Sequence, residues 1–330
     1  MTLQLLSSVR KKCVCNPVTS HWRPKAREMT GPFACVVLVL IMSTISPGFL
    51  SFNNFANIFS QSSILFVLAL GQMLVIITRG FDISVGAVAA LSSVVAVQAV
   101  APFGEFNAII LGIGTGLVVG AINGYLIACQ GLQPIIVTLG TTLVARGLAT
   151  ALVGDVEVIS LPPDSVLQSL GYSWLMHIPS LIWIASGAGL LIWAVTKRLP
   201  FGRWLFMVGG NPEAANLVGV PVRTSSVIAY SLCGGLAGLA GMFLLSRSGS
   251  AVAIEGAGME LQAIAACVIG GIALSGGTGS VWQALIGAVF IQALLNGLNL
   301  LGASPFVSEM VLGVVLVSAG ALDFIVRKFH

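Results

Sequence analysis

The sequence predicts an all-α, polytopic integral membrane helical bundle of about ten transmembrane helices, with both termini cytoplasmic. Three observations predict it. The 330-residue chain is 57% hydrophobic and only 8% charged, against roughly 25% charged for an ordinary soluble domain. Its apolar residues gather into runs near 32–48, 63–79, 84–101, 106–129, 134–153, 178–196, 224–246, 259–275, 281–302 and 306–326, close to the ~20 residues a helix needs to cross a bilayer. Its basic residues also fall on one side. With the N-terminus inside, Arg10, Lys11, Lys12, Arg23, Lys25, Arg27, Arg79, Lys197, Arg198, Arg203, Arg223, Arg327 and Lys328 are all cytoplasmic, as positive-inside orientation requires. Only Arg247 falls outside, and Arg146 lies within the fifth run. The outer side holds Glu105, Asp155, Glu157, Asp164, Glu255, Glu260 and Glu309.

Residues 1–30 read as a basic cytoplasmic tail, expected to be disordered, and 31–330 as a single transmembrane domain. The tail has no apolar core between its basic clusters and no small-residue cleavage site, so it is not a secretory signal; Met29 is a candidate alternative start of translation. Cys13 and Cys15 form a C-x-C pair, whereas Cys35, Cys129, Cys233 and Cys267 fall in apolar runs and His21, His177 and His330 are scattered. No metal or redox site is expected from so few grouped ligands. Cysteines in such positions act as small hydrophobes.

The stretch Pro47–Asn57, PGFLSFNNFAN, mixes aromatic rings with amides and reads as an interfacial connection. In the fourth run Gly112, Gly116, Gly120 and Gly124 repeat every four residues, and Gly234 and Gly238 do so in the seventh. Such smooth faces let a neighbouring backbone approach where lipid removes the hydrophobic drive between helices. The runs Gly80–Gly86 and Gly270–Gly279 can break a span, which is tolerated only inside protein or beside water. Within the first, Asp82 reads as an N-cap of the third span in preference to a solute ligand. The outer loop Gly154–His177, with Pro162, Pro163 and three carboxylates, either covers the mouth of the bundle, receives a partner or is simply solvated.

Polar residues in or beside the spans, most of them uncharged, are pathway candidates: Gln72 and Thr78 on the second, the carboxylate Asp82 and Ser84 at the start of the third, Asn123 on the fourth, Thr138, Thr141 and Thr142 on the fifth, and Gln292, Asn296 and Asn299 on the ninth. Interhelical glue is their commoner role; lining a wet cavity is the other. Arg146 is a functional hypothesis by default, although snorkelling to the outer surface is open to it.

The longest polar interruption, Lys197–Arg223, contains a short helix marked at both ends. Asn211 is a good N-cap and Pro212 suits the first helical position, where a missing N–H costs nothing. Glu213 lies at the positive end of the dipole. Ala214, Ala215, Asn216 and Leu217 continue the turn, Gly219 takes a left-handed cap, and Pro221 stops it. A helix of under two turns is unstable alone, so it docks either on its own membrane domain or on another protein.

No Gly-x-x-x-x-Gly-Lys loop, H-E-x-x-H or G-x-S-x-G occurs, which argues against ATP binding through a phosphate loop and against a membrane-embedded hydrolase. Neither a cofactor nor a nucleic-acid partner is expected.

The run Glu213-Ala214-Ala215-x-x-x-Gly219 resembles the cytoplasmic loop by which ATP-binding-cassette importer permeases dock on their ATPase. With Gly209-Gly210-Asn211-Pro212-Glu213-Ala214-Ala215, with Gly80–Gly86 and with Val268–Ser280, VIGGIALSGGTGS, it matches the ribose-type sugar permeases of such bacterial importers in order and spacing, from roughly Pro47 to the C-terminus. Two departures stand out. Tyr230-Ser231 replaces the Leu-Pro that ends the longer docking pattern, and Arg79 stands where a small residue is common. The resemblance implies a non-catalytic, multi-pass permease of the bacterial inner membrane. It also implies ATPase coupling through Gly210–Ala215 and Gly219, and three partners besides lipid: an ATP-binding subunit, a periplasmic sugar-binding protein and a second permease copy or a close relative. A branched-chain amino-acid permease of the same superfamily and a stand-alone secondary transporter are the alternatives.

Overall fold

The computed structural model describes residues 23–46 and 48–328; most of the basic tail lies outside them. The order is α1 (Arg23–Ile45), α2 (Phe52–Ile77), α3 (Val85–Phe103), α4 (Glu105–Ala128), α5 (Pro134–Val153), β1 (Val158–Ser160), α6 (Val166–Tyr172), β2 (Trp174–Leu175), β3 (Ile178–Pro179), α7 (Ser180–Arg198), α8 (Pro200–Gly210), α9 (Pro212–Leu217), α10 (Val222–Ser248), β4 (Ser250–Val252), α11 (Met259–Ile269), α12 (Val281–Leu300) and α13 (Pro305–Lys328).

Among the described residues seven helices are long and apolar enough to cross a membrane: α2, α3, α4, α5 (running on to Val156), α7, α10 and α12. Three shorter apolar helices, Gly31–Ile45, Met259–Ile269 and Pro305–Ala321, fall on the remaining predicted runs. The protein is therefore an all-α polytopic membrane protein. α2 is its central post, with Leu65, Leu70, Met73, Leu74 and Ile77 fully enclosed, and α10, α12, α11 and α7 pack around it.

The closest seam joins α4 to α10. A Cβ on Gly116 would collide with Gly234 O and stand 2.9 Å from Gly238 N, and one on Gly120 would meet Tyr230 O and Gly234. The glycine repeat is thus internal packing, as its spacing suggests.

Four local expectations change. The predicted span 259–275 is helical for only 11 residues, about 16 Å of rise and half a hydrocarbon core. Gly271, Gly276 and Gly277 then take φ of 93°, 81° and 75°, which ends the helix because they can leave the right-handed region without cost. Residues 197–210, read as polar interruption, contain α8, which buries Leu205 and Val208. Phe49, expected at headgroup depth, is fully buried in a cluster with Leu38, Met42, Ile58 and Leu294, because α1 and α12 leave a slot that its ring fills. Asp82 is not itself the N-cap of α3. That position belongs to Ser84, whose N–H donates to Asp82 Oδ1 at 2.9 Å.

The outer loop is packed rather than free. β1 pairs antiparallel with β4, and Glu105 at the head of α4 accepts from Val166 N at 3.0 Å and Leu167 N at 2.9 Å. Both amides belong to the first turn of α6, where donors lack intrahelical partners and a carboxylate is favoured. Ser165 adds its hydroxyl as acceptor for Gln168 N.

Candidate functional site

The three motif stretches meet at one end of the bundle. Ile77 O, at the foot of α2 and just before Gly80–Gly86, accepts from Gly277 N at 2.9 Å. Gly209 fits against both: a Cβ there would collide with Ile77 O and stand 2.5 Å from Gly277 N. Arg79, held at φ 67°, donates through Nε to Gly209 O at 2.7 Å and through Nη2 to Gly210 O. A guanidinium on the last carbonyls of α8 satisfies orphan acceptors at the negative end of that helix. The departure at Arg79 thus becomes a clamp beside Asn211. Tyr230, the other departure, is buried and donates its hydroxyl to Phe81 O at 3.3 Å, holding the Gly80–Gly86 stretch from α10.

From this base α9 projects with the capping read from its sequence. Asn211 Oδ1 accepts from Ala214 N at 3.0 Å, and Pro212 opens the helix. Gly219 N reaches Asn216 O, and Val220 N reaches Ala215 O at 3.0 Å, the paired closure that a left-handed glycine permits; Gly219 has φ 81°. Ala215 and Val220 bury against Val208. The opposite face is open: Glu213 and Ala214 are exposed, as are Leu217 at 87% and Val218 at 68%.

A second polar group lies inside the bundle. Asp82, 1% exposed, accepts from Ser84 N and from Ser84 Oγ at 2.6 Å. Asn123 Nδ2 donates to Ser84 Oγ at 3.1 Å, and Thr141 Oγ1 donates to Asn123 Oδ1 at 2.5 Å. Thr142 Oγ1 reaches Ile83 O at 3.2 Å. Arg146 points inward to Ala253 O at 3.4 Å, on the irregular chain between β4 and α11. That chain reaches α3, since a Cβ on Gly86 would collide with both Gly256 O and Glu260 Oε2. Glu260 Oε2 is itself buried without a hydrogen-bond partner. So Asp82, Ser84, Asn123 and Thr141 form one connected chain across α3, α4 and α5, beside the break at Gly80–Gly86 and close to the irregular chain between β4 and α11. Irregular backbone inside a membrane domain requires such polar company.

The other candidates stand apart. Thr138 bonds back to Pro134 O at 2.9 Å within α5. Gln72 is fully buried with both amide atoms unpartnered, and Asn296 Oδ1 is buried without a partner; Asn299 is exposed at the far end of α12. Sequence reasoning missed the parts played by Glu260 and Arg79. Only neighbours distant in the chain reveal them.

At the outer end, a polar pocket of about 300 Å³ is lined by Gln61, Arg247, Ser248, Glu255 and Gln292, among others. Glu255 lies in the connection between β4 and α11, and burial pushes its carboxyl up to about 7. The folded protein therefore holds a proton there that the unfolded chain releases near 4.5. Stability from this group is full below about 4.5 and is lost as pH rises through about 7. Against Glu255→Gln, the parent should lose about 1–2 kcal/mol of relative stability between pH 5 and 8 after allowance for solvent screening, read as a fall in Tm that the variant does not share.

Comparison with known proteins agrees with this geometry. Residues 54–320 match the family model described as branched-chain amino acid transport system / permease component. The ribose import permease protein of Bacillus subtilis is 41% identical over 298 residues, covering 90% of this chain and 92% of its own length. That of Escherichia coli is 36% identical over 310 residues, with 92% and 95% covered. A probable ABC transporter permease protein of Sinorhizobium fredii is 38% identical over 290 residues, with 88% and 87% covered. No solved structure matches the chain significantly.

Proposed function

The chain belongs to the branched-chain amino acid transport system / permease component family, and from that premise we propose that it is the membrane subunit of an ATP-driven importer that carries a ribose-like monosaccharide across the bacterial inner membrane. Relatives from Bacillus subtilis and Escherichia coli are named ribose import permeases, another from Escherichia coli a D-allose transport system permease and one from Yersinia pseudotuberculosis an autoinducer 2 import permease, which favours a sugar or sugar-like solute over a branched-chain amino acid. The chain itself performs no chemistry. An ATP-binding subunit docks on α9, a periplasmic binding protein delivers the sugar, and a second permease copy completes the pathway.

The observation that carries this reading is the convergence of Gly80–Gly86, Gly209–Ala215 and Gly270–Gly279 beneath α9. Movement imposed on that helix passes through Arg79 and Ile77 O directly to the two breaks in the bundle. One break adjoins the Asp82–Ser84–Asn123–Thr141 chain, which gives hydroxyl-rich cargo acceptors and donors at intramembrane depth. Around the outer end Val166, Tyr172, Trp174 and Met176 are exposed, an apolar rim suited to a delivering protein.

The test is reconstitution in liposomes with the cognate ATP-binding and sugar-binding subunits. Uptake of labelled ribose should require ATP and both partners; uptake by the chain alone on an ion gradient would make it a secondary transporter.

Ten crossings with both termini cytoplasmic complete the proposal. Single cysteines placed in 154–177 should react with an impermeant thiol reagent from the periplasmic side, and those in 203–219 only from the cytoplasmic side. The reverse pattern removes the orientation argued from the basic residues.

A further inference from the structure

One sizeable cavity in the bundle is lined almost wholly by apolar side chains. A groove of about 420 Å³ lies between α2, α7 and α12 and runs along α7 from Ile182 to Trp193, about 16 Å at the helical rise. Phe59, Phe66, Ala185, Leu190 and Val289 form its walls. The hydroxyls that reach it from α2 are already used: Ser62 Oγ donates to Ile58 O at 2.7 Å and Ser63 Oγ to Phe59 O at 2.9 Å. Apart from the exposed Ser186 on α7 and the two indoles, the remaining lining is apolar, and the size is that of a small-molecule site.

Its two ends differ. At one end stand Trp193, near the end of α7, and Trp282, at the start of α12 and 67% exposed. Indoles of this kind settle at headgroup depth. There Arg198 lies over the Trp193 ring at 5.6 Å, and Lys197 shares the last turn of α7. Both are exposed. The other end, at Phe59 and Ile182, carries no charge among its lining residues.

We infer that this groove binds one anionic phospholipid, its acyl chain along α7 between Phe66 and Leu190 and its phosphate at Arg198. Charge complementarity selects this occupant. A second copy of the chain or a transmembrane helix would fill apolar volume but would leave the stacked guanidinium without a counter-charge. A basic residue at the membrane surface favours an anionic headgroup by about fivefold. The inference stands apart from the sugar-import reading, because it uses no residue of α9 or of the Asp82 chain.

The test uses the full chain in nanodiscs of phosphatidylcholine and phosphatidylglycerol, followed by native mass spectrometry of the lipid retained after gentle extraction. The parent should keep phosphatidylglycerol in preference, at about one per chain. Arg198→Gln should lower that preference about fivefold while leaving total bound lipid unchanged. Ser186→Phe, which places a ring in the groove from an exposed position, should lower retention of both lipids. Tm and membrane abundance of both variants, equal to the parent, show that the fold is intact; should Ser186→Phe misfold, Arg198→Gln decides alone. Equal retention of the two lipids by the parent, or a preference that Arg198→Gln does not change, overturns the inference. So does a second copy of the chain found in place of lipid.

Discussion

Gly116→Leu is expected to remove most of the protein from the membrane. The effect follows from the seam between α4 and α10, where backbone meets backbone. Gly116 stands against Gly234 O and the Gly238 backbone, Gly120 against Tyr230 O, and Gly124 against Val227. A side chain at Gly116 cannot be accommodated by a rotamer change, because the atoms it meets are main-chain atoms of a helix that also packs on α2 and α3. Extra methylenes in a well-packed core cost about 1–3 kcal/mol each site where side chains can yield; here the helices must part, and the cost lies at or above that upper end. Even Gly116→Ala should lower abundance. Gly114→Leu is the control, since a Cβ there meets nothing within 4 Å and its side chain points away from the seam. Abundance by quantitative blotting, with Tm of the purified protein, reads the outcome. Normal values for Gly116→Leu would mean that α4 and α10 do not meet along this face.

That seam also shows what a sequence carries and what it hides. The repeat at Gly112, Gly116, Gly120 and Gly124 announces a close approach, because only backbone fits against such a face. Which helix approaches depends on the fold, and so Gly234 and Gly238 were recognisable as a similar pattern but not as the partner. Local structure was the most legible. Asn211, Pro212 and Gly219 specify α9 through hydrogen bonds that span only a few residues, and each of those bonds is found. The polar chain was half legible. Asp82, Ser84, Asn123 and Thr141 stand out as polar residues in apolar runs, yet Asn123 reaches Ser84 across 39 positions and Thr142 reaches Ile83 across 59. No local pattern encodes such pairings. The same limit hid Arg79, whose partners at Gly209 and Gly210 lie 130 and 131 positions away. The helix α8 escaped for a different reason. Its buried face of Gly202, Leu205, Val208 and Gly209 is built partly from glycine, which lowers helix propensity by about 1 kcal/mol per residue and lets a packed helix pass for a loop.

Glu213→Lys is expected to leave the permease folded and abundant but poorly coupled to ATP hydrolysis. The buried side of α9 is set by Ala215 against Val208 and Val220, and Glu213 takes no part in it. Its exposed carboxylate sits in the first turn, where replacement by a cation costs only ~0.3–1 kcal/mol of helix stability. On a partner surface the same change reverses the charge beside the exposed Leu217 and Val218, the apolar centre of the proposed docking face. Interfaces draw most of their energy from such a centre and their register from the charges around it. Pro212→Ala is the control for the helix itself, because Ala is well tolerated in a first turn and leaves the Asn211 cap in place. Leu217→Ala tests the apolar centre and should also weaken coupling, by removing the most exposed large side chain of the face. Two quantities are read in parallel: membrane abundance, and sugar-stimulated ATP hydrolysis in the reconstituted complex. Coupling should fall at least tenfold for Glu213→Lys, the loss of about 1.4 kcal/mol of docking energy, while abundance stays within the range of Pro212→Ala. If Glu213→Lys and Leu217→Ala both couple like the parent, α9 is a strut of the membrane domain, and the ATP-binding subunit docks elsewhere.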